Sequence, residues 1–545
     1  MTSVCSRSLA ALVMMVALAA CAKPHPAQVE PPRPAVPALL ASVPADAPYL
    51  VVSLDAAPPE MWARLKQVFQ PLFDVVAAKW QEERGTNAVL DAVLTEMVGK
   101  WSRAGIESLG FSAQPRFAIY GLGLQPAVLR MAVKDGKAVR ATIARIAAKA
   151  GKPLPPPEIR GGRSYWRHTD NDRTSTVISI ADDQLIVAIG EVADIEAKLD
   201  LILGLEQPAR NMADGALVHQ LMARHGFGGQ MIGFADTRQL GSKALEAAGA
   251  TSSPACTGAL DRLSAALPRL VIGYRELSGS KITGGLILEM APDAVAELRA
   301  IQTEVPGLGA ALSGHPVLAF AAGVDLARAQ QLGVAVAGHL RQFGTACGLG
   351  ALVNGASQVA RKLSQPLPDP FERISGGAFT IDEIAFPAGD RSGTPEKMAG
   401  VLLIASPDAR GLFNHTLESA PLFKRLGITA DGRLHDIPIP VPMFSALAAG
   451  ASDHVIVVTA GNKQRSDGDR WIGARAGGKA PLLAASYDFA RIMDIGTQFR
   501  DMGPEASRPE FQRVLASMKD AFGQMSGTVD VTDHGLALWS TLEFK

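Results

Sequence analysis

The chain has 545 residues, 48% hydrophobic and 19% charged, with 53 Lys plus Arg against 53 Asp plus Glu. That length admits two or more ordinary cores, and a formal charge of zero leaves no electrostatic footprint for nucleic acid. With 53 glycines and only 6% aromatics, the composition suits many short elements and tight turns, and it is not that of a disordered chain.

In chain order, residues 1–20 read as an export signal. Arg7 gives a weakly positive start, and Leu9 to Leu18 is an apolar run too short to span a bilayer comfortably. The stretch Leu18-Ala19-Ala20-Cys21 that follows resembles the lipobox of bacterial lipoproteins. The resemblance implies cleavage between Ala20 and Cys21 and a diacylglyceryl group on the Cys21 thiol. Acyl methylenes, each worth about 0.8 kcal/mol when buried, would then hold the chain on a membrane. By the sorting rule of such lipoproteins, Ala22 in place of Asp implies the outer membrane, at its periplasmic face or at the cell surface. Pro24, Pro26, Pro31, Pro32, Pro34 and Pro37 stiffen residues 21–42 into an extended tether, the alternative being a merely disordered one; both readings start the folded body near Val43.

The first apolar strand candidate is Tyr49 to Leu54. The segment around it, "VPADAPYLVVSLD" (43–55), resembles the opening of a family of uncharacterised bacterial lipoproteins, through Pro44, Ala45, Asp46 and Tyr49. The rhythm of strand, hairpin and helix after it is similar too. That resemblance implies the compartment and carries no catalytic residue with it.

From Thr86 to Trp101, Val89, Leu90, Val93, Leu94, Met97 and Trp101 fall on one helical stripe. A unit of two strands, a turn and a helix then recurs. Its copies start at Phe117, Thr176, Leu270 and Gly377. The third and fourth also match in letters, "GLILEMAPDA" (285–294) over "GVLLIASPDA" (400–409). Either the chain is duplicated or local rules for entering a helix, Pro at its start and Asp at its positive end, produced the match twice. The end of the chain reads as a closing hairpin around Asp533-His534-Gly535, with Leu536, Leu538, Leu542 and Phe544 on one face. Adjacent hairpins predict an α+β class: mostly antiparallel sheets, helices on one face and two similar halves, residues 43–305 and 306–545.

Beyond Cys5 and Cys21, only Cys256 and Cys347 remain. In an oxidising compartment a Cys256–Cys347 disulfide is the simplest reading, the alternative being two buried thiols. No further ligand sits near either, which argues against zinc.

Other motifs fit their bland readings better. In "GARAGGKA" (473–480), Gly473, Gly478 and Lys479 have phosphate-loop spacing, but Ala480 replaces the magnesium-binding hydroxyl, so no nucleotide is expected. His219 and His225 are six apart, wrong for a helical metal pair, and read as a solvated helix end. His168, Asp170 and Asp172 read as a polar turn. Asp382 and Glu383 are adjacent in a strand and point to opposite faces. "HDIPIPVPMF" (435–444) is an extended segment that either covers a sheet edge or contacts an apolar partner. The resulting expectation is a lipid-anchored outer-membrane lipoprotein without cofactor, metal or catalysis, which binds or scaffolds a partner in the envelope. The rival is a hydrolase with a discontinuous active site.

Overall fold

The computed structural model describes residues 37–545, apart from 83–87, 101, 152, 171–172, 182, 248, 250–252, 370, 388–393, 420–425, 476 and 499–508. Ala20, Cys21 and the tether up to residue 36 lie outside the described residues. None of the described helices is long and apolar enough to cross a membrane.

Two compact units make up the chain. The first holds the described residues up to Ala244, then Arg269–Gly284 and Ala516–Ala521; the second holds Leu245–Pro268, Gly285–Leu515 and Phe522–Lys545. The expected boundary between residues 305 and 306 falls inside the second unit. The body also reaches further back than Val43. Pro37–Ala41 is a helical turn, and Leu39 and Leu40 are buried, so residues 37–42 are part of the fold and not of the tether.

The first unit contains β1 (Tyr49–Ser53), β2 (Phe117–Gly121), β3 (Ala127–Ala132), β4 (Glu158–Arg160), β5 (Arg163–Asp170), β6 (Thr174–Ile180), β7 (Gln184–Glu191), β8 (Ile232–Asp236) and β9 (Arg269–Leu277). They pair antiparallel in the order β9-β8-β1-β2-β3-β7-β6-β5-β4. After β10 (Lys281–Glu289), whose residues are divided between the two units, come the strands of the second unit: β11 (Leu318–Ala322), β12 (Gly376–Ala385), β13 (Lys397–Ala405), β14 (His435–Asp436), β15 (Leu447–Ala451), β16 (Val455–Ala460), β17 (Leu483–Asp488), β18 (Phe522–Thr532) and β19 (Gly535–Phe544). Their order is β19-β18-β17-β11-β12-β13-β16-β15-β14, again antiparallel.

Leaving aside β4 and β19, the two orders are the same. The registers coincide as well. Across the strands of the first unit runs the row Ile232, Val52, Ala118, Arg130, Ile186, Ser179; across those of the second runs Ala484, Ala321, Ala378, Leu403, Val457, Gly450. Connections repeat in detail. Val133 N donates to Asp183 O at 2.9 Å, and Ser406 N to His454 O at 3.0 Å. Asp236 caps the next helix by accepting from Gln239 N, and Asp488 does the same from Arg491 N. A Cβ at Gly190 would lie 2.7 Å from Pro126 Cβ, and one at Gly461 2.9 Å from Ala399 Cβ, so the same close approach demands glycine in both units. The letter match belongs here too, but to other partners than expected. The segment equivalent to 400–409 is "AVLRMAVKDG" (127–136), where β3 enters its helix, and not 285–294.

The α+β class is as expected, but the helices do not share one face. In the first unit the helix Gly136–Lys149 places Val139 and Ile143 on Leu129, Met131 and Val187, while helices Val192–Ala197 and Leu199–Leu203 cover the opposite side. In the second, the helix Ala409–Ser419 packs Leu412 and Phe413 near Ala449 and Ile456, whereas Gln464–Ile472 packs Trp471 and Ile472 on Val401, Leu403 and Val457. Successive residues of β13 thus feed two cores, because side chains alternate along a strand. In the closing hairpin the leucine face is unevenly covered: Phe544 is buried but Leu538 is 50% exposed, while Ala537 on the opposite face is fully buried. Within the second unit, Cys256 and Cys347 form a disulfide, with Cα atoms 4.6 Å apart.

Candidate functional site

A cleft of about 960 Å³ opens in the first unit, where the segment Pro44–Pro48 and the turn after β2 meet the helices Leu199–Leu203 and Thr237–Ala247. The cleft-lining segment includes part of the phrase that carried the family resemblance. Just beyond it, the Tyr49 ring lies against Gly121, where a Cβ would come within 2.5 Å of it, and burial pushes the Tyr49 hydroxyl above its usual pKa.

The charged side chains of the lining are Lys198, Arg210, Arg238 and Lys243 against Asp46 and Glu206. Lys198 is the least exposed of them and donates to the carbonyl of Leu122, which fixes its stem at the floor. Arg238, Gln239, Ser242 and Lys243 recur at helical spacing, so one face of the helix Thr237–Ala247 forms a wall. Arg210 stands on the loop opposite, whose carbonyl accepts from Ala45 N at 3.0 Å. Chemically the lining offers guanidinium forks, ammonium groups and neutral amide and hydroxyl donors. It is a surface for anionic oxygen atoms.

The second unit has inverted this place. Buried positions Ile195, Leu199, Ile202 and Leu203 recur at the same spacing as Gln464, Gly468, Trp471 and Ile472, which sets Asp467 opposite Lys198. Asp382 takes the position of Leu122. Its carboxyl is pushed up by burial, which outweighs the hydrogen bond from Gln464 Nε2 at 3.1 Å, and the charge of Asp467 raises it further. Arg491 donates to the Asp382 carbonyl at 2.6 Å. Among the described residues no group of three His, Cys, Asp or Glu could hold a metal ion.

The motifs singled out in the sequence resolve as follows. Gly473 ends a helix and Lys479 leads toward β17, so the 473–480 segment lacks the strand-loop-helix order of a phosphate loop; Lys479 donates to the carbonyl of Arg299. His219 is exposed, but His225 is buried against the ring of Phe227 at 5.9 Å, which corrects the solvated helix end. His168 and Asp170 lie at the end of β5 beside a hairpin turn; Asp172 lies outside the described residues. A bulge interrupts β12 between Ile381 and Glu383, and Glu383 pairs with Lys397 at 2.7 Å while Asp382 turns to Gln464. The segment 435–444 runs along β15, with Ile437 N donating to Leu447 O at 2.8 Å. Its apolar side chains face inward and Pro438, Pro440 and Pro442 outward, which makes it an edge cover.

Sequence reading missed the cleft. Its cations are spread over residues 198–243 without a motif, and only the repeated helix cap at Asp236 and Asp488 marks its wall. The search for similar proteins found no matching family model, curated protein or solved structure, so the likeness of residues 43–55 rests on those residues alone.

Proposed function

We propose that this chain is a lipid-anchored protein of the outer membrane that works by binding or scaffolding in the envelope, with the cleft of the first unit as its binding surface. The observation that carries the anchor is the order of an apolar run, Leu18-Ala19-Ala20-Cys21 and a proline-rich spacer. The cleft supports the binding role, since its lining is a set of donors and charges suited to holding a ligand. The test is fractionation of Cys21→Ala. The variant leaves the membrane fraction or stays as the uncleaved precursor; fractionation and migration like the wild type overturn the reading.

A hydrolase is the second reading, and one observation favours it. Burial and Asp467 hold the Asp382 carboxyl above its usual range, as general acids require. An envelope hydrolytic activity lost in Asp382→Asn, with the fold intact, would replace the binding role by this one.

A further inference from the structure

We infer that the cleft of the first unit binds a phosphate-bearing ligand. This deepens the proposed binding role and rests on it. Four cations, Lys198, Arg210, Arg238 and Lys243, face two carboxylates, Asp46 and Glu206, around one cavity. The excess of positive charge suits a phosphate group, which near neutral pH carries about −1 as a diester and about −1.5 to −2 as a monoester. Arg210 and Arg238 line the cleft from different elements, and a guanidinium is the side chain best matched to phosphate oxygens, with Lys198 as a point charge from the floor.

The second unit supplies the control that nature has already made. On the same strand order and the same capped helix, Asp467, Ala490 and Ile495 stand where the first unit has Lys198, Arg238 and Lys243. The scaffold therefore does not need these cations in order to fold. Their presence in the first unit is a property of the cleft.

A lipid headgroup and a free phosphate compound share this chemistry. The experiment uses the full mature chain in detergent, titrated calorimetrically with inorganic pyrophosphate and, separately, with soluble short-chain phosphatidylglycerol. At least one probe binds saturably, and Arg210→Gln with Arg238→Gln weakens it by tenfold or more, on the order expected for losing charged hydrogen bonds. Both arginines are exposed, so the double variant keeps its fold, which circular dichroism verifies. Arg373→Gln, far along the chain and paired with Asp369 at 3.3 Å, leaves the affinity unchanged. The tighter probe identifies the source. Saturable binding of neither probe, binding indifferent to the double variant, or equal weakening by Arg373→Gln overturns the inference. Release of orthophosphate from pyrophosphate would instead overturn the non-catalytic reading while leaving the site in place. An unanchored Cys21→Ala protein that still binds separates the cleft from the anchor.

Discussion

At one register position the two units solve the same problem with opposite chemistry. Arg130 and Leu403 sit mid-row in equivalent strands, and both are buried. Leu403 packs among Val401, Val457, Trp471 and Ile472. Arg130 instead sends its guanidinium to the carbonyls of Leu201 at 3.1 Å and Ile202 at 2.9 Å, and to the Tyr120 hydroxyl at 3.0 Å. Those carbonyls end a short helix, where the backbone dipoles present partial negative charge. A buried cation is thus satisfied without a carboxylate, and it fastens the helix that carries the floor of the cleft to the sheet. In the second unit Trp471 fills the corresponding space, and packing alone fastens the helix. The lesson is that strand order and register are kept by the sheet, while the way a helix is tied to it is free to change.

The largest effect tests the tie that only the second unit has. Replacing Cys256 and Cys347 by Ser opens a loop with a separation of 91 residues. The expected loss is about 4–5 kcal/mol in the chain-entropy account. Hydrogen exchange should rise in second-unit peptides and change little in those of the first. Uniform loosening of both units would mean that their stabilities are not separable.

The next sharpens the comparison itself. Leu403→Ala should cost about 2–5 kcal/mol, the usual range for a buried leucine. Arg130→Leu should not be the neutral swap that the shared register suggests. It strands the carbonyls of Leu201 and Ile202 and the Tyr120 hydroxyl, at roughly 1–3 kcal/mol for each group left unpaired. Exchange protection across residues 192–203 is the readout. Protection equal to wild type would show that Arg130 contributes no tie.

Acid should act on the first unit through Glu96. This carboxylate is buried between the helices Ala88–Met97 and Gly136–Lys149. Burial raises its pKa, but hydrogen bonds from Arg145, Lys149 and Lys100 outweigh that and hold it at about 2. A depressed carboxylate gives stability that is fully present above its unfolded value, about 4.5, and is lost as pH falls toward 2. The contribution is on the order of 3 kcal/mol. Glu96→Gln should abolish most of that dependence; an unchanged acid titration of the melting temperature would refute the assignment.

Much of this architecture was legible in the chain. The units starting at Phe117 and Thr176 and the hairpin at the end are marked by alternation and turn residues. The disulfide followed from counting. What the letters hid was set by packing. The similarity of 285–294 to 400–409 is a local signature of entering a helix, whereas the true counterpart differs at Arg130, where the two cores diverge. His225 looked like a helix end and is buried because the chain folds back at Gly226, with φ +68°. The cleft was invisible because six charged residues from four segments converge only in three dimensions.

The smallest expected effect is the finest test of equivalence. Leu129 and Leu402 occupy the same register position, one residue before Arg130 and Leu403, and the residue type is the same. Leu129 is 8% exposed, beneath the helix that carries Val139 and Ile143. Leu402 is 42% exposed beside Phe379, because the corresponding helix, Ala409–Ser419, packs toward β15 and β16 instead. Identical letters at identical register should therefore respond differently. Leu129→Ala should cost about 2–4 kcal/mol, while Leu402→Ala should cost under about 1 kcal/mol, since the methyl groups it removes were largely in water already. Both are read as shifts in denaturant midpoint with local exchange as a control. Comparable losses at the two sites would mean that Leu402 is covered in solution, and the face that carries Phe320, Phe379 and Leu402 would then be an interface.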